Sequence, residues 1–295
     1  MSILTNLVEL LDVKKIEENV YMGHAQDIGY PALYGGQVIG QALRAAQNTV
    51  VEKIPHSLHA YFLRAGNVVD KIYFEVDLTR TGASFVTRNV VAKQSGRAIL
   101  TMSVSFHNSE SDGFDHQDQA PTVPSPEDLP NEEDLLKKLE KKIPETIRAK
   151  ILAERPFDIR VVDPIDYISP HRRPALKYTW FKAKHDVPNE TLIQAALLAY
   201  ASDHGFSLTA LLPHGVSMLT PGYQFASIDH ALWLHRPVDV SRWHLYETTS
   251  PNAHGARGFN RGNIYDEKGR LVASVAQECL IRKVKNKKST KKRES

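Results

Sequence analysis

The feature that most constrains this chain is that it repeats itself. The run His59-Ala-Tyr-Phe-Leu-Arg64 returns as Ala231-Leu-Trp-Leu-His-Arg236, and laying Arg64 on Arg236 sets an offset of 172 residues. Downstream, Ser95-Gly96-Arg97-Ala98-Ile99-Leu100 meets Lys268-Gly269-Arg270-Leu271-Val272-Ala273 at an offset of 173. A drift of one residue over more than thirty points to duplication of one supersecondary unit. The competing reading is chance similarity between two hairpin-rich halves. At 295 residues the chain has room for about two domains of roughly 150 residues each.

The unit can be read from its patterning. Gly35-Gly36-Gln37 opens a run in which Val38, Ile39, Ala42, Leu43, Ala45 and Ala46 recur near the helical period. Small residues on that helix let it lie close against another element. A strand over 57–64 follows. Then comes 71–80, where Ile72, Phe74, Val76 and Leu78 alternate with polar neighbours, and strands 84–93 and 97–106, with Gly82 and Gly96 at turns. One mostly buried helix followed by long antiparallel strands predicts a sheet wrapped around a helix. The second half repeats this with a helix over 192–201 and strands over 224–235, 243–250, 255–265 and 270–282.

Between the units, residues 107–134 hold nine Asp or Glu, four Pro and no Lys or Arg, a linker composition. The following Glu132-Glu133-Asp134-Leu135-Leu136-Lys137-Lys138 runs from acidic to basic, as a helix macrodipole favours. Pro144 stops that helix or starts the next. The chain therefore divides into a first unit (1–106), a linker and helical connector (107–154), a second unit (155–282) and a tail (283–295). Residues 282–295 carry eight Lys or Arg against one Glu, so the net charge of +3 conceals a body of −4. A basic tail on a mildly acidic body reads as a solvated, disordered tail, with weak contact to RNA or an anionic membrane as the alternative, and not as a nucleic-acid-binding domain. No apolar run is long enough to span a membrane, and no secretory signal stands at the start. The single cysteine, Cys279, excludes an intrachain disulfide and a cysteine-rich metal site, and a cytoplasmic location is the default. Among the histidines, no spacing matches a zinc signature, and we expect no metal and no cofactor.

Several motifs, in order, resemble one family. Tyr34-Gly-Gly-Gln-Val-Ile-Gly-Gln-Ala-Leu and His56-Ser-Leu-His-Ala-Tyr-Phe-Leu-Arg-Ala-Gly66 do so in the first half. Tyr200-Ala-Ser-Asp203, Ile228-Asp-His-Ala-Leu-Trp-Leu-His-Arg-Pro237, Ala256-Arg-Gly-Phe259 and Val272-Ala-Ser-Val-Ala-Gln-Glu278 do so in the second. Together they are similar to acyl-CoA thioesterase II over roughly residues 1–282. The resemblance implies an α+β double hotdog, two tandem helix-wrapped antiparallel sheet units in one chain. It also implies hydrolysis of fatty acyl-CoA to free fatty acid and coenzyme A, a step of lipid metabolism.

Thioester hydrolysis needs an activated water and stabilisation of the developing oxyanion. The serine-hydrolase signature Gly-x-Ser-x-Gly is absent from the sequence. The resemblance carries over Asp203 as the family's catalytic aspartate, Ser227 as its hydroxyl residue and Gln277 as its glutamine. Many relatives carry threonine where this chain has Ser227; the hydroxyl survives and the methyl is lost. The residue types fit the task. Asp203 follows the helix at 192–201, where the negative end of the dipole raises carboxylate basicity. Ser227 donates and accepts, and Gln277 offers an amide donor and a carbonyl acceptor. We expect these groups to hold one water for direct attack, without an acyl-Ser227 intermediate. Read alone, each has an ordinary alternative: a helix-end aspartate, a strand-edge serine and a glutamine facing solvent.

Two supporting positions follow. His56 precedes strand 57–64 and matches a histidine suspected in the family, with a purely structural role as the alternative. Gly36 exposes a backbone N–H at a helix start, suited either to an oxyanion or to close helix packing. For the coenzyme A phosphates, Arg64, Arg236, Arg257 and Arg261 are candidates near strand ends, or else solvated arginines. An acyl-CoA-binding or regulatory hotdog protein without catalysis is the main rival reading, and a hotdog hydratase the third. The resemblance also suggests a homodimer or homotetramer, since exposed edges of such sheets usually pair.

Overall fold

The computed structural model describes residues 3–28, 32–110 and 113–284. The basic tail expected from residue 283 lies, from residue 285 onward, outside the described residues. A short helix α1 (Ile3–Leu11) precedes β1 (Lys14–Glu17) and β2 (Val20–Gly23). The first unit continues with α2 (Gly35–Gln47), β3 (Ile54–Phe62), β4 (Ile72–Thr81), β5 (Phe85–Gln94) and β6 (Arg97–His107). Two connector helices, α3 (Glu132–Lys138) and α4 (Glu145–Ile151), lead to β7 (Phe157–Val161), β8 (Leu176–Ala183) and α5 (Thr191–Ser202). A 3-10 segment, Phe206–His214, leads to β9 (Tyr223–Ser227), β10 (Asp229–Leu234), β11 (His244–His254), β12 (Arg257–Asp266) and β13 (Leu271–Lys283).

These strands form one antiparallel sheet in the order β1-β2-β4-β5-β6-β3-β10-β13-β12-β11-β8-β7, with β9 alongside β13. The two units meet where β3 pairs with β10, from Asp229 opposite Tyr61 to Trp233 opposite Ser57. Helices α2 and α5 pack on each other inside the curved sheet. Gly40 permits this, because a Cβ there would stand 3.2 Å from the Ala196 carbonyl oxygen. Residues Gln194–Ser202 of α5 are all buried, which explains why that helix is apolar on nearly every side.

The repeat is physical as well as textual. In the first unit Leu63 N–H and Arg64 N–H both donate to Ile99 O (2.8 and 3.4 Å), and the Arg64 guanidinium donates to Ala98 O at 2.8 Å. In the second, His235 N–H and Arg236 N–H both donate to Val272 O (2.9 and 3.3 Å), and the Arg236 guanidinium donates to Leu271 O at 2.8 Å. Each arginine clasps the start of a partner strand at the matching place.

Three features differ from the sequence reading. Strand β3 starts earlier and ends at Phe62, before the expected 64. Strands β7 and β8, for which no pattern was assigned, close the far edge of the sheet. The expected strand 224–235 is broken at Ile228. Ser227 pairs with Cys279 whereas Ala231 pairs with Ala276, a one-residue change of register. The break stays satisfied. Ile228 O accepts from Phe62 N–H at 2.9 Å, and the Asp229 carboxylate accepts from Glu278 N–H at 2.6 Å. The acidic linker is pinned to the second unit, where Gln117 accepts from Leu271 N–H (3.0 Å) and donates to Gly269 O (2.8 Å).

Candidate active site

Asp203, Ser227 and Gln277 converge at one corner of the second unit. Asp203 is the residue after α5, and its side chain is only 6% exposed. Its Oδ2 accepts from Gly36 N–H at 2.9 Å, so the start of α2 meets the end of α5. Gln277 lies on the inward face of β13 and is 1% exposed, so the solvent-facing alternative does not hold. Its amide nitrogen donates to Ser227 Oγ and to Ser207 Oγ, each at 2.8 Å. The break at Ile228 resets the register at which Ser227 faces this amide.

A residue that the motifs did not single out joins the group. His230 is buried on β10, directly between the others: its Nδ1 stands 2.6 Å from Gln277 Oε1 and 4.0 Å from Asp203 Oδ1. Its Nε2 lies 2.9 Å from Ser202 Oγ. Tyr246 donates to Ser202 O at 2.9 Å and stacks on Phe206, whose ring also meets His230 edge-on. No sequence spacing marks His230; its inward direction follows from the β3–β10 pairing, a long-range fact.

Burial dominates the electrostatics. It raises the Asp203 carboxyl from 3.8 to about 7, with the Gly36 N–H and the Gln277 amide pulling the other way. Desolvation, and not the negative end of α5 expected from the sequence, is the larger cause of that rise, and the positive end of α2 opposes it. Burial also lowers His230 to about 4. Tyr246 is raised well above 10 by burial and by the nearby Asp203 charge. A carboxyl near 7 is poised to exchange a proton with water at neutral pH.

The matching corner of the first unit is built differently. Helix α2 ends on Asn48 in place of an aspartate. The hydrogen-bonded His230 and Gln277 correspond, at the offsets of the repeat, to Leu58 and Val104, which pair across β3 and β6. Asn260, across the ladder from Gln277, corresponds to Arg88, across from Val104. Arg88 is buried and fills the space, donating to Thr49 Oγ1 (2.9 Å), Arg80 O (2.8 Å) and Thr81 Oγ1 (3.1 Å).

Comparison with known proteins shows the family. A family model described as acyl-CoA thioesterase matches residues 153–280, and one described as the acyl-CoA thioesterase N-terminal domain matches residues 23–107. Acyl-CoA thioesterase 2 of Haemophilus influenzae is 41% identical over 95% of this chain and 98% of its own length. The chain belongs to the acyl-CoA thioesterase II family. Acyl-coenzyme A thioesterase 8 of Homo sapiens is 34% identical to this thioesterase over 92% of the chain and 88% of its own. A crystal structure of an acyl-CoA thioesterase II from Mycobacterium marinum superposes with a TM-score of 0.77 at 35% identity, covering 94% of this chain and 98% of that one. A hot dog fold protein from Alicyclobacillus acidocaldarius, 15% identical with a TM-score of 0.74, shares the fold. The thioesterase is thus an α+β double hotdog enzyme that hydrolyses acyl-CoA thioesters, and no helix among its described residues is long and apolar enough to cross a membrane.

The remaining expected positions fall at several places in the thioesterase. Gly36 spends its N–H on the carboxylate of Asp203 and not on an open anion site. His56 hydrogen-bonds Ser105 at 2.8 Å and meets Phe85 and His107 edge-on, contacts that keep it at the outer end of β3. Arg64 and Arg236 clasp backbone carbonyls, and Arg236 also pairs with Asp115 at 2.6 Å. Arg261 is exposed on the face of β12 opposite the buried Asn260 and Gln277. Arg257 ion-pairs with Glu278 at 2.8 Å and borders a cleft of about 370 Å³ shared with Arg172, Leu211, His214, Tyr223 and Ile281. That cleft lies further along the β9–β13 ladder, where Ile281 faces Phe225, beyond the Ser227–Cys279 pair.

Proposed function

We propose that this thioesterase hydrolyses its substrate by direct attack of a water activated by Asp203 and oriented by Ser227 and Gln277. The ionised Asp203 takes a proton from water as the oxygen bonds to the thioester carbon. The carbonyl electrons move onto oxygen, forming a tetrahedral oxyanion. Collapse breaks the C–S bond, the proton held by Asp203 passes to the departing sulfur, and free acid and coenzyme A leave. The observation that carries this reading is a buried carboxyl, held by the Gly36 N–H, beside an amide and a hydroxyl 2.8 Å apart, and burial raises that carboxyl to about 7. Such a group is ionised often enough to act as a base at neutral pH and is still basic enough to be effective.

Arg257, on the cleft beyond Ser227, is the arginine best placed for the coenzyme A phosphates. A homodimer or homotetramer and a cytoplasmic location belong to the same proposal. The deciding experiment is rapid quench of a single turnover followed by mass spectrometry of the intact chain. No acyl adduct should appear, and Asp203→Asn should abolish thiol release. An acyl group recovered on Ser227 would replace direct water attack with a covalent route.

A further inference from the structure

The mechanism leaves the buried titratable side chain that touches its glutamine without a task. His230 is fully buried, and its two ring nitrogens face Gln277 Oε1 at 2.6 Å and Ser202 Oγ at 2.9 Å. Tracing the protons gives it one. Burial holds the imidazole neutral at pH 7, with one N–H and one lone pair. The Gln277 amide nitrogen faces Ser207 Oγ and Ser227 Oγ, each at 2.8 Å, and its N–H side also holds down the Asp203 carboxyl. What faces Nδ1 is therefore a carbonyl oxygen, an acceptor only, so Nδ1 carries the ring proton and Nε2 accepts from the Ser202 hydroxyl.

The opposite tautomer forces a different network. With the proton on Nε2, Ser202 accepts it and turns its own hydroxyl to Ala199 O, 2.9 Å away. Nδ1 then presents a lone pair, and the Gln277 amide has to turn over. Its carbonyl would face the two serines and draw in the Ser227 proton. In the first network Ser227 accepts from Gln277 and its O–H is left to point into the site. The tautomer of His230 and the direction of hydrogen bonding at Ser227 are thus one variable.

We propose that His230 is a positioning residue: by donating from Nδ1 to Gln277 it fixes which way that amide points and keeps Ser227 a hydrogen-bond donor into the active site. The inference rests on the catalytic reading of Asp203, Ser227 and Gln277 given above. The duplication supports it independently. The hydrogen-bonded pair His230 and Gln277 is replaced as a pair, by Leu58 and Val104, in the unit whose helix ends without an aspartate.

Two measurements test it on the full chain. Long-range ¹H–¹⁵N spectra of histidine-labelled enzyme, with H230N identifying the signal, should show Nδ1 protonated; an Nε2-protonated ring overturns the proposal. In steady-state assays with an acyl-CoA ester, H230L should lower kcat by about 10–100-fold while KM changes less than about threefold, the pattern for a group used in the transition state. H230N places an amide N–H at the Nδ1 position and should recover about tenfold over H230L, whereas H230Q, whose N–H reaches the Nε2 position, should not. An H230L kcat within about threefold of wild type, or H230N as slow as H230L, sinks the assignment. If H230L does not fold, the tautomer and the contrast of H230N with H230Q decide. D203N and Q277A run alongside separate the two failures. Activity retained in both defeats the catalytic reading itself, and loss in both with H230L unaffected defeats only the role of His230.

Discussion

The backbone N–H of Gly36 donates to Oδ2 of Asp203 at 2.9 Å, tying the first residues of one unit's helix to the residue that caps the end of the other's. The approach is close enough that a Cβ on Gly36 would stand 2.4 Å from Tyr200 O, and one on Gly35 would stand 2.8 Å from the Asp203 carboxylate. Gly36→Ala should therefore push the two helices apart. We expect a loss of about 1–3 kcal/mol in stability from overpacking, read as a lower denaturant midpoint, together with reduced thiol release. Wild-type stability in this variant would mean that the helix contact yields easily.

Asp203→Asn keeps an acceptor for Gly36 and removes the base. The turnover number should fall by about 100-fold or more, followed by the absorbance of released thiol. The fold should persist, because the substitution deletes a buried charge and leaves its hydrogen bond. Near-normal turnover in a folded variant removes Asp203 from the role of base.

The raised carboxyl also sets a pH dependence. Because the ionised form is the base, kcat should climb as pH rises toward about 7 and level off above it. Stability runs the other way. The folded value lies above the ordinary 3.8, so the contribution of Asp203 is full below 3.8 and is lost as pH rises through about 7. His230 has the opposite sign: lowered from 6.5 to about 4, it contributes above 6.5 and loses that contribution as pH falls through about 4. Melting temperatures of wild type and D203N should diverge in favour of the variant as pH rises from about 4 to about 7 and keep that gap above it. Parallel curves would show that the carboxyl is not raised.

Gln277→Ala leaves Ser207 and Ser227 without their shared donor. We expect kcat to fall by about 10²-fold with a smaller change in KM, the cost of losing an oriented donor at a reacting centre. Ser227→Thr should retain most activity, since it keeps the hydroxyl. A thioester assay of both variants side by side checks the pair.

The arginines should separate by function. Arg257→Ala, beside the cleft, should raise KM for acyl-CoA several-fold, by about 1 kcal/mol, without a matching fall in kcat. Arg64→Ala and Arg236→Ala each lose one charge-assisted bond to a backbone carbonyl and should lower stability by about 1 kcal/mol with KM unchanged. A KM effect at Arg64 equal to that at Arg257 would contradict the assignment.

The repeat made the architecture readable. The Arg64 and Arg236 clasps recur at the offsets that the text of the chain displays, and Ser95-Gly96 supplies the two positive φ values of a tight hairpin turn. The strands whose patterns alternate cleanly, β4 to β6 and β11 to β13, lie close to where they were expected. Strands β1, β2, β7 and β8 lie outside the stretch covered by the internal match, so the repeat does not reveal them. Within the site, Asp203 and Gln277 fall inside motifs and Ser227 stands one residue before one; His230 lies inside the motif Ile228–Pro237, but nothing in its spacing marks it. Its neighbours come from a strand pairing and a helix end that are local to nothing in the sequence. The cause of the raised carboxyl was misjudged for the same reason: a dipole belongs to one helix, whereas enclosure depends on every element around it.

Arg88 shows what joining two units into one polypeptide makes available. Two identical subunits share one gene, so a substitution that rigidifies one copy of a pocket also lands in the working copy and disables it. A tandem chain escapes that bind. Here one half holds a buried guanidinium where the other holds Asn260, and an asparagine where the other holds Asp203, so structural support and reactivity stand at separate addresses.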